Sequence, residues 1–265
     1  MIDTDNAFGE RSGESLDDNW RVVGASICGV RHSQVGASCQ DTHAWEVLPS
    51  GILVVALADG AGSTKHGAIG ARVAVQTAIR VANVAAAMLT PADDDATCER
   101  SLTQCFQECR IAVEEEAQTR ALTSRDLATT LIILFAKDNL VACGQIGDGA
   151  CVVGNCNEQP LILNVPQVGE YVNETVFLTS SNAMDELQIS TWRGRVCSIA
   201  VFCDGLDSLA LKLPDGVPHK PFFEPLFRFI AESSDRTTEL IAFLQSPQVR
   251  ERCDDDLTLI LAHHL

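Results

Sequence analysis

The sequence predicts an α+β protein built from antiparallel sheets. Three strand-like runs follow one another across residues 128–153 with only short turns between them, which favours antiparallel pairing because a parallel pair needs a long crossover connection. Two long helical segments, 63–89 and 97–119, come one after the other instead of alternating with strands. We therefore expect these two helices to cover one sheet face together, unlike the layout of a doubly wound parallel sheet.

The N-terminal part is predicted to contain a tail, three strands and these two helices. Residues 1–19 are polar and acidic without periodicity, so we expect a mobile acidic tail ahead of one folded domain at 20–265. The helix at 63–89 carries apolar residues at a spacing of four, and the helix at 97–119 carries an i, i+3, i+4 stripe. Strand-like runs are found at 22–30, 43–47 and 52–56, with a loop at 31–41.

The remaining chain is predicted to add further strands and a second pair of helices. Residues 155–194 contain Pro160 and Pro166, and we expect short strands and a surface flap there. The other predicted strands are at 128–136, 140–146, 150–153, 196–203 and 257–262, and the predicted helices are at 221–231 and 237–245.

Charge and cysteine content limit the possible functions. Lys plus Arg number 19 against 36 Asp plus Glu, a formal charge of -17, which argues against binding nucleic acid or anionic membranes because both need basic surfaces. An anionic ligand would need local positive charge, which metal ions supply. The 11 cysteines form no CxxC pair, so zinc is disfavoured and we expect reduced thiols in a cytoplasmic protein. We expect neither a signal peptide nor a membrane span.

Four aspartates stand at the ends of apolar, strand-like runs. An Asp-Gly pair is common in turns, so each motif alone has an ordinary structural interpretation. Their repetition favours one oxygen-rich centre assembled by the fold, which suits a hard cation or a phosphate. By contrast, Asp93-Asp94-Asp95 follow no strand, and we interpret them as a solvated turn. The four motifs are Asp59-Gly60, Gly147-Asp148-Gly149, Asp204-Gly205 and Asp254-Asp255-Asp256.

The order of these motifs resembles that of the metal-dependent protein phosphatase 2C (PP2C, or PPM) family of serine/threonine phosphatases. Gln40-Asp41 is similar to the family's first acidic motif, and the run 169–179 and the spacing from His32 to Gln40 are similar to its bacterial branch. The resemblance covers residues 20–263. It implies a four-layer α-β-β-α sandwich, two antiparallel sheets flanked by helix pairs.

The resemblance also implies a metal site. Asp59 would bridge two Mg²⁺ or Mn²⁺ ions, Asp204 and Asp255 would complete the site of one ion, and the carbonyl of Gly60 would belong to the other. On physical grounds, two ions held ~3.5–4 Å apart can acidify a water and neutralise phosphate oxygens during in-line attack. No Ser-His or Cys-His pairing suited to nucleophilic catalysis is evident in the sequence. We therefore expect direct hydrolysis of phosphoserine or phosphothreonine in a protein.

Further residues take their expected roles from the same resemblance. Asp148 would help to hold a third, weaker ion, and Asp41 would orient a metal-bound water, joining Asp59 and Asp204 as catalytic residues. Arg31 and His32 are either ordinary loop residues or phosphate contacts, for which a guanidinium is geometrically suited. The family usually has Glu where this chain has Gln40. The family's phosphate-binding arginine also stands closer in sequence to the aspartate of the first acidic motif than Arg31 does to Asp41.

Two other functions remain open at this stage. Gln40 favours a catalytically weak or silent regulatory and binding module with the same fold, whereas the presence of Asp59, Asp204 and Asp255 argues against it. The same centre could also hydrolyse a phosphorylated small molecule. For the phosphatase, the expected partners are a phosphorylated protein and a cognate serine/threonine kinase or its targets, and we expect a monomer.

Overall fold

The fold consists of two antiparallel five-stranded sheets with helices on their outer faces. The structure is a computed structural model that describes residues 19–34, 36–89, 94–155, 159–166, 175–212 and 215–265. Residues 1–18 of the predicted tail, Asp93, and residues 156–158 and 167–174 of the predicted flap lie outside these ranges.

The predicted helices and strands occur in the predicted order, and five short α-helices and β-strands that were not predicted lie among them in the described residues. The strands are β1 (Trp20–Ile27), β2 (Thr42–Val47), β3 (Leu53–Ala58), β4 (Leu131–Lys137), β5 (Leu140–Ile146), β6 (Ala150–Asn155), β7 (Leu161–Asn164), β8 (Gln188–Arg193), β9 (Val196–Phe202), β10 (Leu211–Lys212), β11 (Val217–Pro218) and β12 (Leu257–His264). The helices are α1 (Val30–Gln34), α2 (Gly67–Ala87), α3 (Asp95–Thr119), α4 (Asp207–Ala210), α5 (Lys220–Glu232), α6 (Arg236–Leu244) and α7 (Pro247–Arg250). The five short elements that were not predicted are α1, α4, α7, β10 and β11.

Each large sheet is antiparallel at every pairing of the described strands. Sheet I has the order β1-β12-β9-β6-β7. Sheet II has the order β2-β3-β4-β5-β8. The short strands β7 and β8 come from the stretch predicted to hold short strands, and each forms an edge of its sheet. β10 and β11 form a separate two-stranded ribbon that the sequence did not predict.

Three hydrophobic cores hold four layers together. Alternate residues of a strand face opposite sides of its sheet, and β4 shows how one strand contributes to two cores. Ile133 packs toward α2 and α3, whereas Ile132 packs toward sheet I. On the other side, α5 and α6 cover sheet I through a core that includes Phe223 and Leu240. The predicted α-β-β-α sandwich is therefore confirmed.

The predicted loop at 31–41 contains a short helix, α1, at its start. Five residues are too few to show a periodic pattern, and a helix this short is not stable by itself. Contacts from a distant segment hold it in place: Arg31 N donates to Asp254 O at 3.1 Å, and Gly29 N donates to a carboxylate oxygen of Asp256 at 2.6 Å. The segment before β12 therefore determines where α1 lies.

The acidic run before α3 starts the helix and is not simply a solvated turn. Asp94 is the N-cap, and its carboxylate accepts a hydrogen bond from Thr97 N at 2.9 Å. Asp95 is the first helical residue and pairs with Arg193 at 2.8 Å. An aspartate at the N-cap satisfies an otherwise unpaired amide, so α3 begins two residues before the predicted start.

The described cysteines are mostly reduced thiols. Nine of them form no disulfide, but Cys197 is disulfide-bonded, so the expectation of reduced thiols is wrong at that position. Among the described residues, no helix has both the length and the apolar character needed to cross a bilayer.

Candidate metal centre

One end of the sandwich gathers all five aspartates singled out from the sequence. β3 ends before Asp59 and β9 ends before Asp204, while β2 begins after Asp41 and β12 begins shortly after Asp255. Asp148 lies in the turn between β5 and β6. Because neighbouring strands are antiparallel, the end of one lies beside the start of the next, and these loops from both sheets meet at the same edge.

The segment carrying Asp59 is fixed by hydrogen bonds with the two threonines that immediately precede β4. Asp59 N donates to Thr130 Oγ1 at 2.9 Å, and Asp59 O accepts from Thr130 N and Thr129 Oγ1, both at 2.8 Å. A Cβ on Gly60 would overlap the backbone of Gly67 at the start of α2. Glycine is therefore required where the chain turns from β3 toward α2.

Asp41 is fully buried, and its carboxylate lies against the side chains of Thr258, Cys203 and Asp59. Asp41 Oδ2 accepts from Thr258 Oγ1 at 2.6 Å, whereas Oδ1 is buried and has no hydrogen-bond partner. The residue is 1% exposed. A buried carboxylate oxygen without a partner is costly, so this atom indicates that a further group belongs here.

The aspartates shift one another's pKa values, which shows that they are close neighbours. Burial, followed by the charges of Asp41 and Asp204, raises the pKa of Asp59 well above its ordinary value. Burial, followed by the charges of Asp148 and Asp41, raises the pKa of Asp204 to about 7. Burial and the charge of Asp256 raise the pKa of Asp41 to about 6. Burial also raises the pKa of Asp148.

This donor set fits hard divalent cations. Carboxylate and carbonyl oxygens are the ligands that Mg²⁺ and Mn²⁺ prefer, and the carbonyl of Gly60 lies next to Asp59 in the chain. Positive charge would relieve the mutual repulsion of Asp59, Asp148 and Asp204. The residues therefore suit the ions that the sequence predicted.

His32 and Arg31 lie side by side on α1 but face different environments. His32 Nδ1 is 3.0 Å from Asp256 Oδ1, and ligand atoms of His32, Asp255 and Asp256 all lie within 4.8 Å of one another. Burial lowers the pKa of His32, but the hydrogen bond and charge of Asp256, together with the charges of Asp255 and Asp41, raise the pKa overall. Arg31 is 70% exposed and pairs with Asp254 at 2.6 Å. His32 thus lies at the centre, and Arg31 lies at its rim.

Three functional candidates were given no role from the sequence. Asp256 accepts hydrogen bonds from Gly29 N and Gln40 N, so it anchors the segment on both sides of α1. Thr175 Oγ1 donates to Asp148 Oδ2 at 2.6 Å. Asp207 has its Oδ1 buried without a partner, and burial with the nearby charges raises its pKa to about 8. The acidic run 254–256 could have suggested a role for Asp256, but no sequence pattern identifies Thr175 or Asp207.

Gln40 donates to the backbone beside Asp59. The side-chain amide nitrogen of Gln40 donates to the carbonyl oxygens of Gly60 and Ala61 at 2.7 and 3.1 Å. This orientation of the amide is assigned from the hydrogen-bond network. The main-chain carbonyl oxygen of Gln40 also accepts a hydrogen bond from Gly60 N at 3.2 Å. A glutamate carboxylate could not donate to these carbonyls, which gives the glutamine at this position a structural reason.

A four-layer sandwich with a carboxylate centre at one end defines the class of metal-dependent phosphatases. The family model for protein phosphatase 2C matches residues 28–245. The chain belongs to the protein phosphatase 2C family.

Individual relatives agree with this assignment. The chain is 36% identical to serine/threonine-protein phosphatase 3 of Escherichia coli (strain K12) over 255 residues, covering 92% of this chain and 98% of that protein. Among solved structures, it resembles serine/threonine phosphatase Stp1 from Staphylococcus aureus with a TM-score of 0.64 and 14% identity, over 91% of this chain and 94% of the other.

A second solved structure has the same fold. The catalytic domain of the serine threonine protein phosphatase PstP, in complex with two manganese ions, matches with a TM-score of 0.62 and 15% identity, over 93% of this chain and 99% of the other. At these identities the two structures support the fold, and the family rests on the model match and the Escherichia coli relative.

Proposed function

We propose that this phosphatase hydrolyses phosphoserine and phosphothreonine in proteins at the aspartate centre. As a member of its family, the chain is a metal-dependent serine/threonine protein phosphatase. The observation that supports the proposed site is the meeting of Asp41, Asp59, Asp148 and Asp204, each with a raised pKa, at one end of the sandwich. Bound cations would offset this mutual repulsion.

Individual residues would hold the ions as follows. Asp59, which is within reach of the charges of Asp41, Asp148 and Asp204, would contribute to both ions. Asp204 and Asp255 would hold one of them, and the carbonyl of Gly60 would hold the other. Asp148 is suited to hold a third. When bound, such ions supply a more acidic water and neutralise phosphate oxygens during in-line attack.

The surrounding side chains would orient the reacting groups. Asp41 has Oδ2 bound to Thr258 and Oδ1 free, so Oδ1 is placed to accept a hydrogen bond from the attacking water. His32, with its raised pKa, is suited to contact an anionic phosphate. Arg31 is the second candidate for the phosphate contact, but its side chain would first have to leave Asp254.

The wider role of the protein follows from the same chemistry. We propose that residues 20–265 act as one phosphatase domain on phosphorylated proteins in the cytoplasm. A cognate serine/threonine kinase or its targets would supply the substrate, because only a kinase-type reaction makes these phosphomonoesters. The Escherichia coli relative is named as a serine/threonine-protein phosphatase, which supports the substrate class.

Substitution of the proposed ligands tests the site. Asp59→Asn and Asp204→Asn should each abolish hydrolysis of an aryl phosphate in Mn²⁺ and weaken Mn²⁺ binding measured by calorimetry, because an amide is a poorer ligand than a carboxylate. Asp215→Asn, at an exposed position, should change neither. Wild-type turnover in either ligand variant would show that the ligands are wrongly assigned.

Phosphopeptides test the substrate class. The wild-type protein in Mn²⁺ should release phosphate from phosphoserine and phosphothreonine peptides faster than from phosphotyrosine peptides, and chelator should stop the reaction. Equal rates on all three, or turnover in chelator, would contradict the proposal.

A further inference from the structure

A chain of hydrogen bonds connects Asp41 to a histidine between the two sheets. Asp41 Oδ2 lies 2.6 Å from Thr258 Oγ1, which lies 2.7 Å from Ser26 Oγ, which lies 2.8 Å from His43 Nδ1. Ser26 and Thr258 sit opposite each other on β1 and β12 in sheet I, whereas His43 belongs to β2 of sheet II. The hydrogen-bond chain therefore starts just before β2, passes through sheet I and ends on β2 in sheet II.

The number of hydroxyl hydrogens determines which group donates in each of these hydrogen bonds. A hydroxyl group has one hydrogen and can donate to only one neighbour. When Asp41 is a carboxylate, its Oδ2 only accepts, so Thr258 donates to Asp41 and must accept from Ser26. Ser26 then has no hydrogen left for His43, and His43 Nδ1 must be the donor to Ser26.

The surroundings of His43 offer two possible acceptors for its single ring proton. Burial lowers the pKa of His43 to about 4, so near neutral pH the ring carries a single N–H. Its ring is stacked on Trp45 with centroids 5.8 Å apart. A Cβ on Gly24 would lie 2.8 Å from both Nε2 and Cδ2 of His43, and the ring also interacts with the Gly24 backbone. The Gly24 backbone and Ser26 therefore compete for one ring proton.

We propose that Ser26 and His43 are positioning residues that orient Asp41 through Thr258, with the proton of His43 on Nδ1. In this arrangement both hydroxyl groups donate toward the metal centre. Hydrogen bonds in a chain of this kind reinforce one another. The Thr258 hydroxyl holds Oδ2 of Asp41, which leaves Oδ1 to accept a hydrogen bond from the reacting water. The effect on catalysis rests on the proposed function, but the tautomer does not.

The tautomer can be measured without activity. In the full-length protein labelled with ¹⁵N-histidine and loaded with diamagnetic Mg²⁺, NMR should show His43 Nδ1 protonated and Nε2 bare. Ser26→Ala removes the acceptor, so the proton should move to Nε2. The matched control is Ser198→Ala, because Ser198 Oγ makes the same type of contact with His263 Nδ1 at 3.0 Å; it should leave His43 unchanged. A wild-type His43 protonated on Nε2 would overturn the proposal, and this measurement needs no variant.

Kinetics test the effect on Asp41. Ser26→Ala should lower kcat about tenfold, the lower end of the loss expected for an outer partner of a metal centre, with KM nearly unchanged. Thr258→Val should lower kcat more, and Thr258→Ser, which keeps the hydroxyl, should restore most of it. An unchanged kcat in Ser26→Ala would contradict the positioning role. If Asp59→Asn kept full activity, the proposed function would fail while the tautomer result would stand.

Discussion

The Asp256 carboxylate lies 3.0 Å from His32 Nδ1, and the same group accepts hydrogen bonds from the amides of Gly29 at 2.6 Å and Gln40 at 2.7 Å. One side chain before β12 thus fixes both ends of the segment that carries α1. The neighbouring Asp255 is left for the metal centre. Adjacent aspartates therefore have separate tasks, one in holding the loop and one in the proposed ligand set.

Removing the Asp256 carboxylate should destabilise the protein. Asp256→Ala leaves the amides of Gly29 and Gln40 without their acceptor, and an unsatisfied buried group costs about 1–3 kcal/mol. Urea unfolding in chelator measures the loss. Asp254→Ala is the matched control, because Asp254 is 58% exposed and makes a surface ion pair with Arg31, which contributes at most about 1 kcal/mol. Equal losses in the two variants would refute the anchoring role of Asp256.

Replacing Gln40 by glutamate should have opposite effects on stability and metal binding. Gln40→Glu puts a carboxylate against the carbonyls of Gly60 and Ala61, which accept from the amide at 2.7 and 3.1 Å, so the metal-free protein should lose about 1–3 kcal/mol of unfolding free energy. The added charge beside the centre should strengthen Mn²⁺ binding. Calorimetry and urea unfolding measure both, with Gln34→Glu on the exposed side of α1 as the control. Weaker Mn²⁺ binding in Gln40→Glu would contradict this account.

Thr175 should support metal binding at Asp148. Its hydroxyl donates to Asp148 Oδ2 at 2.6 Å and counteracts the effect of burial, which raises the pKa of Asp148. Thr175→Val removes the donor and should raise that pKa further, so protons should compete better with metal. The expected result is a higher Mn²⁺ concentration for half-maximal activity, most evident at pH 6, whereas Thr175→Ser should behave like wild type. The same Mn²⁺ requirement in all three proteins would be evidence against this role.

The main strands and helices could be predicted because each rests on a strong pattern, whereas their arrangement in four layers was implied by the family resemblance. β4 and β5 are continuous apolar runs joined by a short turn, and α2 and α3 have long apolar faces. α1 could not be predicted, since five residues carry no periodicity and its position depends on Asp254 and Asp256, more than 200 residues away in the chain. Local sequence does not encode a helix that distant contacts hold.

The centre was predictable where an aspartate ends a strand. Asp59, Asp148 and Asp204 carry that signal, and the structure brings them together. The supporting residues carry no such signal, because a lone Thr175 or Asp207 is ordinary in a sequence and gains its role only when another segment packs against it. The structure was needed to show which carboxylates have partners and which do not.

The metal-free protein should become less stable as pH rises, and Asp207→Asn should weaken this dependence. Burial and the charges of Asp204 and Asp148 raise the pKa of Asp207 from 3.8 to about 8. A raised pKa means that the folded state keeps the proton longer than the unfolded state, so this stability is present below pH ~4 and is lost as pH rises toward 8. Urea unfolding in chelator should therefore show the variant more stable than wild type at pH 8, with the difference shrinking toward pH 5, while Asp215→Asn shows no such trend. A difference independent of pH would mean that Asp207 does not titrate in this range.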